Sequence, residues 1–260
     1  MAKKRGVLKW CPAAVLAAVL AAAVTIAPGA AGAQSASNQT ILEHFNIIAF
    51  GSEYTGRRYD HVRKWRAPIL VGIEGKVPAY FETFVLQHIG DLQRLTGHPI
   101  RLYYSPTIYW ERRLAPDFDQ TKINLILYYL PVKRIPERLS CYFDNDPKKV
   151  REMIRTSTCF AKFGTRKNEI RWAIAVFPSH HPKDYMRACV VEKLTQVLGL
   201  PNDSDAVKPS IFNDQSRYFE LTDHNRRMLK MLYDPRITPG MPRKEALRQG
   251  RLILDELNPQ

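Results

Sequence analysis

Glu192, Lys193, Gln196, Asn202 and Asp203 lie within residues 192–203, at spacings that side-chain chemistry can use. Glu192 and Gln196 are four residues apart, so on a helix their side chains meet on one face. Gly199 gives the chain a sharp exit from that helix. Asn202 and Asp203 follow where a third polar group can turn back toward the same face. Two ligands at i and i+4, a base beside the first and a third ligand beyond a glycine form an arrangement that holds a catalytic metal. The residue types here depart from it. Glu192 can ligate, but Gln196 and Asn202 offer neutral amide oxygens, which suit hard cations better than zinc. Lys193 stands in the place of the base, and an ammonium repels a nearby cation unless its pKa is strongly lowered. These five residues therefore read as the polar floor of a groove, with no metal and no cofactor.

The element that must carry them is a helix over 183–198. On a helical wheel, Met186, Val190, Val191, Leu194, Val197 and Leu198 form its apolar face. Tyr185, Cys189, Glu192 and Gln196 share a separate stripe, and Lys193 falls at the edge between the two. The plain alternative for such a stripe is a solvated face.

Further elements follow from the same periodicities. A helix is expected over 38–50 and another over 77–96, whose Phe81, Phe84, Val85, Ile89, Leu92 and Leu95 recur at helical spacing before Gly97. Strands are expected over 61–75, 100–104, 122–130 and 169–177. Residues 105–120 read as a loop, and helices close the chain over 222–233 and 242–257. Two long helices among strands predict an α/β fold of the α+β type, a mixed sheet with the helices on one side. A small helical C-terminal subdomain, about 200–260, follows an upper subdomain of about 34–199.

The first 33 residues have the order of a signal peptide: Lys3, Lys4, Arg5 and Lys9, an apolar run, then Ala31-Gly-Ala33. Cleavage near Ala33 predicts an exported protein, periplasmic or secreted, that is not an integral membrane protein afterwards. Losing those four cations lowers the formal charge from +14 to +10. A basic exported chain excludes nucleic acid as its natural partner and points to a peptide, a protein or an anionic envelope component. Of the three cysteines that remain, Cys141 and Cys159 flank a polar segment and are the candidate disulfide. Cys189, in an apolar helix, is the expected odd thiol.

The stretch from Cys189 onward resembles the metzincin zinc peptidases. Glu192-x-x-x-Gln196-x-x-Gly199-Leu200-x-Asn202 resembles their zinc helix and glycine turn. Ser210-Ile211-Phe212 resembles their Met-turn, and Leu221-Thr222-x-x-Asn225 their closing helix. A nearer resemblance is to the bacterial exported family called domain of unknown function 2927. It rests on Leu198–Asp203, Ser210–Asp214, Leu232–Arg236 and Pro239–Met241. Together they imply a zincin-like scaffold without its chemistry: a catalytically silent, peptidase-like module used for binding or structure in the envelope. The alternative is a hydrolase with a non-standard metal site or with Glu192 as base. A third reading is an unrelated α/β domain.

Overall fold

The computed structural model describes residues 37–215 and 218–257, so the expected signal segment and cleavage point lie outside the described residues. The fold is α/β. A six-stranded sheet is built from β1 (Lys64–Trp65), β2 (Ile69–Glu74), β3 (Ile100–Tyr104), β4 (Leu125–Leu130), β5 (Phe160–Arg166) and β6 (Glu169–Pro178). Its strand path is β1-β6-β4-β2-β3, with β5 pairing β6. All pairings are parallel except the β5–β6 hairpin.

The helices are α1 (Asn38–Phe50), α2 (Ala79–Thr96), α3 (Pro106–Trp110), α4 (Ile135–Leu139), α5 (Pro147–Thr156), α6 (Lys183–Gln196), α7 (Asp223–Tyr233) and α8 (Arg243–Leu257). None of the described helices is long and apolar enough to cross a membrane.

Strand alternation sorts side chains to two cores. Leu125, Leu127, Tyr129, Ala173, Ala175 and Phe177 join the main core with α1, α2, α6, α7 and α8. Tyr128, Leu130, Ile174 and Val176 point the other way and pack with Ile135, Leu139, Val150 and Phe160. The expectation of helices on one side of the sheet is therefore corrected, because α4 and α5 cover the second face.

The single strand expected over 61–75 divides in two. Pro68 has no N–H to give a ladder, and the chain breaks there, so β1 pairs with β6 while β2 sits between β3 and β4. Arg63, Lys64 and Trp65 of this segment are buried. The Lys64 ammonium donates at 2.7 Å to the carbonyls of Leu232 and Ile237. β6 is paired by β1, β4 and β5, which leaves it no free edge. Among the described residues the free edge on that side belongs to β5.

Candidate functional site

α6 carries Glu192, Lys193 and Gln196, and its position is fixed from several sides. The His88 ring on α2 lies 3.0 Å from the Thr195 hydroxyl. Cys189 is bonded to Cys159, the residue before β5. The Cys141–Cys159 pairing is thereby corrected: Cys141 is free and exposed, and Cys189 faces β5. The wheel put Cys189 on a polar stripe, of which the fold buries Cys189 and Gln196 and leaves Tyr185 exposed.

The helix ends where its carbonyls find new donors. The Trp65 indole N–H donates to Val197 O at 2.8 Å, and the Tyr233 hydroxyl to Leu198 O at 2.9 Å. Gly199 then turns at φ +116, with the Arg63 carbonyl 2.1 Å from where a Cβ would stand. Only glycine fits that approach.

Beyond the turn, Asp203 comes back to the helix. Gln196 Nε2 donates to Asp203 Oδ1 at 2.8 Å and to Glu53 Oε2 at 3.1 Å. Glu53 arrives from the loop after α1, which is joined to this turn by a hydrogen bond from Glu53 N–H to Pro201 O at 3.4 Å. Asn202 goes elsewhere. Its amide donates to Ile47 O at 3.2 Å, satisfying a carbonyl near the end of α1. Its expected place in the polar floor is thus taken by Glu53.

Lys193 is at the centre. Its Nζ lies 2.5 Å from Glu192 Oε1, 3.6 Å from Glu53 Oε2 and 3.8 Å from Asp203 Oδ2. Its side chain is 4 % exposed, against 22 % for Glu192, 18 % for Glu53 and 7 % for Asp203. Asp203 Oδ2 has no hydrogen-bond partner and relies on that ammonium. Burial alone would lower the Lys193 pKa, but Glu192, Tyr54, Asp203 and Glu53 outweigh it and hold the group cationic. Burial raises Glu192 to about 8 and Glu53 to about 7, with Lys193 opposing in both cases. Three carboxyls around one ammonium do not all ionise near neutral pH, so the cluster retains a proton there.

The Tyr54 phenol bonds Glu53, and burial pushes its own pKa well above the ordinary value. Asp214, raised by burial and by Asp203, stands near the same charges. Among the described residues, no group of three or more His, Cys, Asp or Glu is arranged to hold a metal ion.

Ser210, Ile211 and Phe212 form a buried turn directly after this site. Phe212 O accepts from Ser204 N–H at 2.8 Å, next to Asp203. Ile211 N–H donates to Asn225 Oδ1 at 3.1 Å, and Asn225 completes the Thr222 capping box of α7. Turn, helix start and site loop are therefore one hydrogen-bonded unit.

Sequence reasoning brought together Glu192, Lys193, Gln196 and Asp203 and missed Glu53 and Tyr54. They sit in a short loop with no periodicity, far along the chain from α6, and no local signal marks them. His180 and His181 stand outside the cluster, with His181 Nε2 2.8 Å from Thr158 O.

A family model described as "Protein of unknown function (DUF2927)" matches residues 38–250. No curated protein and no solved structure matches the chain.

Proposed function

The chain belongs to the DUF2927 family of proteins of unknown function, and from that premise we propose a catalytically silent, zincin-like binding module of the cell envelope. The observation that carries this reading is Lys193. An ammonium occupies the centre of three carboxyl groups, where a hydrolytic site of this plan needs a metal and a base. The positive charge is supplied by the chain, and Gln196 and Asp203 are spent on each other.

Support for the scaffold is the order α6, Gly199 turn, Ser210–Phe212 turn and capped α7, all tied to one another. The charged first segment with its apolar run and Ala31-Gly-Ala33 supports export. A disulfide fits an oxidising compartment. The binding face runs beside the free edge of β5, where an extended peptide can add as a strand.

The test is elemental analysis of the purified mature chain together with a broad peptide-library cleavage assay. The reading expects neither stoichiometric zinc or calcium nor cleavage. One tightly held metal per chain, lost with Glu192→Ala, overturns it.

One observation favours a second reading, a hydrolase. Glu192 is partly open and titrates near pH 8, in the range of an acid–base catalyst. Burial raises its pKa and the Lys193 ammonium opposes the rise, so this one carboxyl can give or take a proton. That reading requires turnover that Glu192→Gln abolishes while the folded content stays unchanged.

A further inference from the structure

A pocket of about 500 Å³ lies beside the site, between the loop after α1, the outer edge of β5 and α5. Its walls include Tyr54, Tyr59, Phe143 and Phe163, with Met153 from α5. Tyr54 reaches from this pocket to Glu53, so pocket and carboxylate cluster share a wall.

The pocket is apolar in its walls and positive in its charge. Arg63, Lys149 and Lys162 line it, with Asp144 as the one acid. Lys149 Nζ is already 2.6 Å from Asp144 Oδ2. Among the described residues neither of the other two is in a direct ion pair, although Asp144 also attracts Lys162. Lys162 donates to the Tyr142 carbonyl and sits 4.3 Å from the Phe143 ring centre.

Arg63 is the unusual one. It is 7 % exposed, stacked 3.6 Å from the Tyr59 ring centre and 5.4 Å from that of Phe163. Its Nη2 donates to the carbonyls of Ala49 and Gly51, at 3.3 and 3.2 Å. Its Nε has no hydrogen-bond partner. Burial draws the guanidinium down to about 10, with Tyr59 opposing. A buried cation without a counter-ion is costly, and an anion brought to it recovers that cost. A planar guanidinium matches a carboxylate, and an aromatic-lined pocket matches an apolar body.

We propose that this pocket binds a carboxylate carried on an aromatic or bulky apolar group, the chemistry of a peptide's free C-terminal residue. The inference rests on the reading of this face as a binding surface and adds the class of ligand. It does not depend on whether the Lys193 cluster is silent.

Calorimetric titration of the full mature chain tests it, with the tripeptide Ala-Ala-Phe as free acid, the same tripeptide as C-terminal amide, and N-acetylphenylalanine. The free acid is expected to bind and the amide to bind at least about tenfold more weakly, because a charge-assisted contact becomes neutral. Equal affinity for the tripeptide acid and N-acetylphenylalanine identifies a small carboxylate as sufficient. A clear preference for the tripeptide identifies the peptide terminus.

Arg63 is buried and its replacement can unfold the chain, so variants at half-buried Lys162 and exposed Asp144 carry the test. Lys162→Met is expected to weaken the acid about tenfold and leave the amide unchanged. Asp144→Asn, which frees Lys149, is expected to tighten the acid by roughly threefold at low salt. Equal binding of acid and amide, no binding of the acid, or indifference to Lys162→Met overturns the proposal. Acid-independent binding leaves the binding-face reading intact, whereas cleavage of the tripeptide sinks the silent reading and not this one.

Discussion

The Lys193 ammonium is 2.5 Å from the side-chain carboxyl of Glu192, its immediate neighbour in the chain. Adjacent residues on a helix ordinarily point about 100° apart. They meet here at a point toward which Glu53 and Asp203, 3.6 and 3.8 Å from the ammonium, also draw it.

Removing that ammonium leaves three carboxyl groups facing one another with little water. Lys193→Met is expected to destabilise the fold by about 3–5 kcal/mol, the cost of breaking a buried pair by deleting one partner. Urea denaturation measures it. Adding Glu192→Gln is expected to restore part of the loss, so the double variant is more stable than the sum of the singles predicts.

Stability is expected to peak between acid and alkaline limbs. Burial draws His88 from 6.5 to about 4, and His224 likewise to about 4. Their unfolded forms take up protons that the folded forms refuse, so stability falls as pH drops from 6.5 toward 4. Glu192 and Glu53 are raised by burial from 4.5 to about 8 and about 7. The folded state keeps protons that the unfolded chain has released, so this contribution is lost as pH rises from 4.5 through 7 to 8. Denaturation midpoints across that range measure both limbs. Glu192→Gln is expected to flatten the alkaline limb alone.

The Cys159–Cys189 bridge fastens β5 to α6 across a sequence separation of 30. Cys159→Ser or Cys189→Ser is expected to cost about 2–5 kcal/mol, whereas exposed Cys141→Ser stays within about 0.5 kcal/mol. Thiol titration of folded residues 34–260 is expected to find one reactive group, at Cys141. A second reactive thiol would contradict the pairing.

Gly199 and Gly56 both have positive φ but differ in their surroundings. A Cβ at Gly199 would stand 2.1 Å from the Arg63 carbonyl, while at Gly56 nothing lies within 4 Å. Gly56→Ala is expected to cost roughly 1 kcal/mol, as alanine in a left-handed conformation does. Gly199→Ala is expected to cost more than about 3 kcal/mol or to prevent folding, because backbone must move. Thermal melts of the two variants side by side make the comparison.

How far the sequence could be read depended on how local each feature is. α1 and α6–α8 follow from helical periodicity and end signals, and Thr222 does cap α7. β5 was missed because Phe160, Ala161, Lys162, Phe163 and Gly164 do not alternate cleanly and are ordered by pairing with β6. α4 was missed, and of α5 only a helical turn over Arg151–Arg155 is legible, because the apolar positions of both are few. At the site, α6 could be placed from its own residues. Its partners could not, since Glu53 and Cys159 reach it only through tertiary folding. Lys193 fell at the edge of the wheel, and only the approach of Glu53 and Asp203 turns that edge inward.

A cation that is also a side chain has a consequence for supply. It has no off-rate, so its occupancy does not vary with the surroundings. No chelator strips it, no competing ion displaces it, and scarcity of metal leaves the cluster filled. Lys193 makes the charge at the centre of this site an inherited quantity, set at translation.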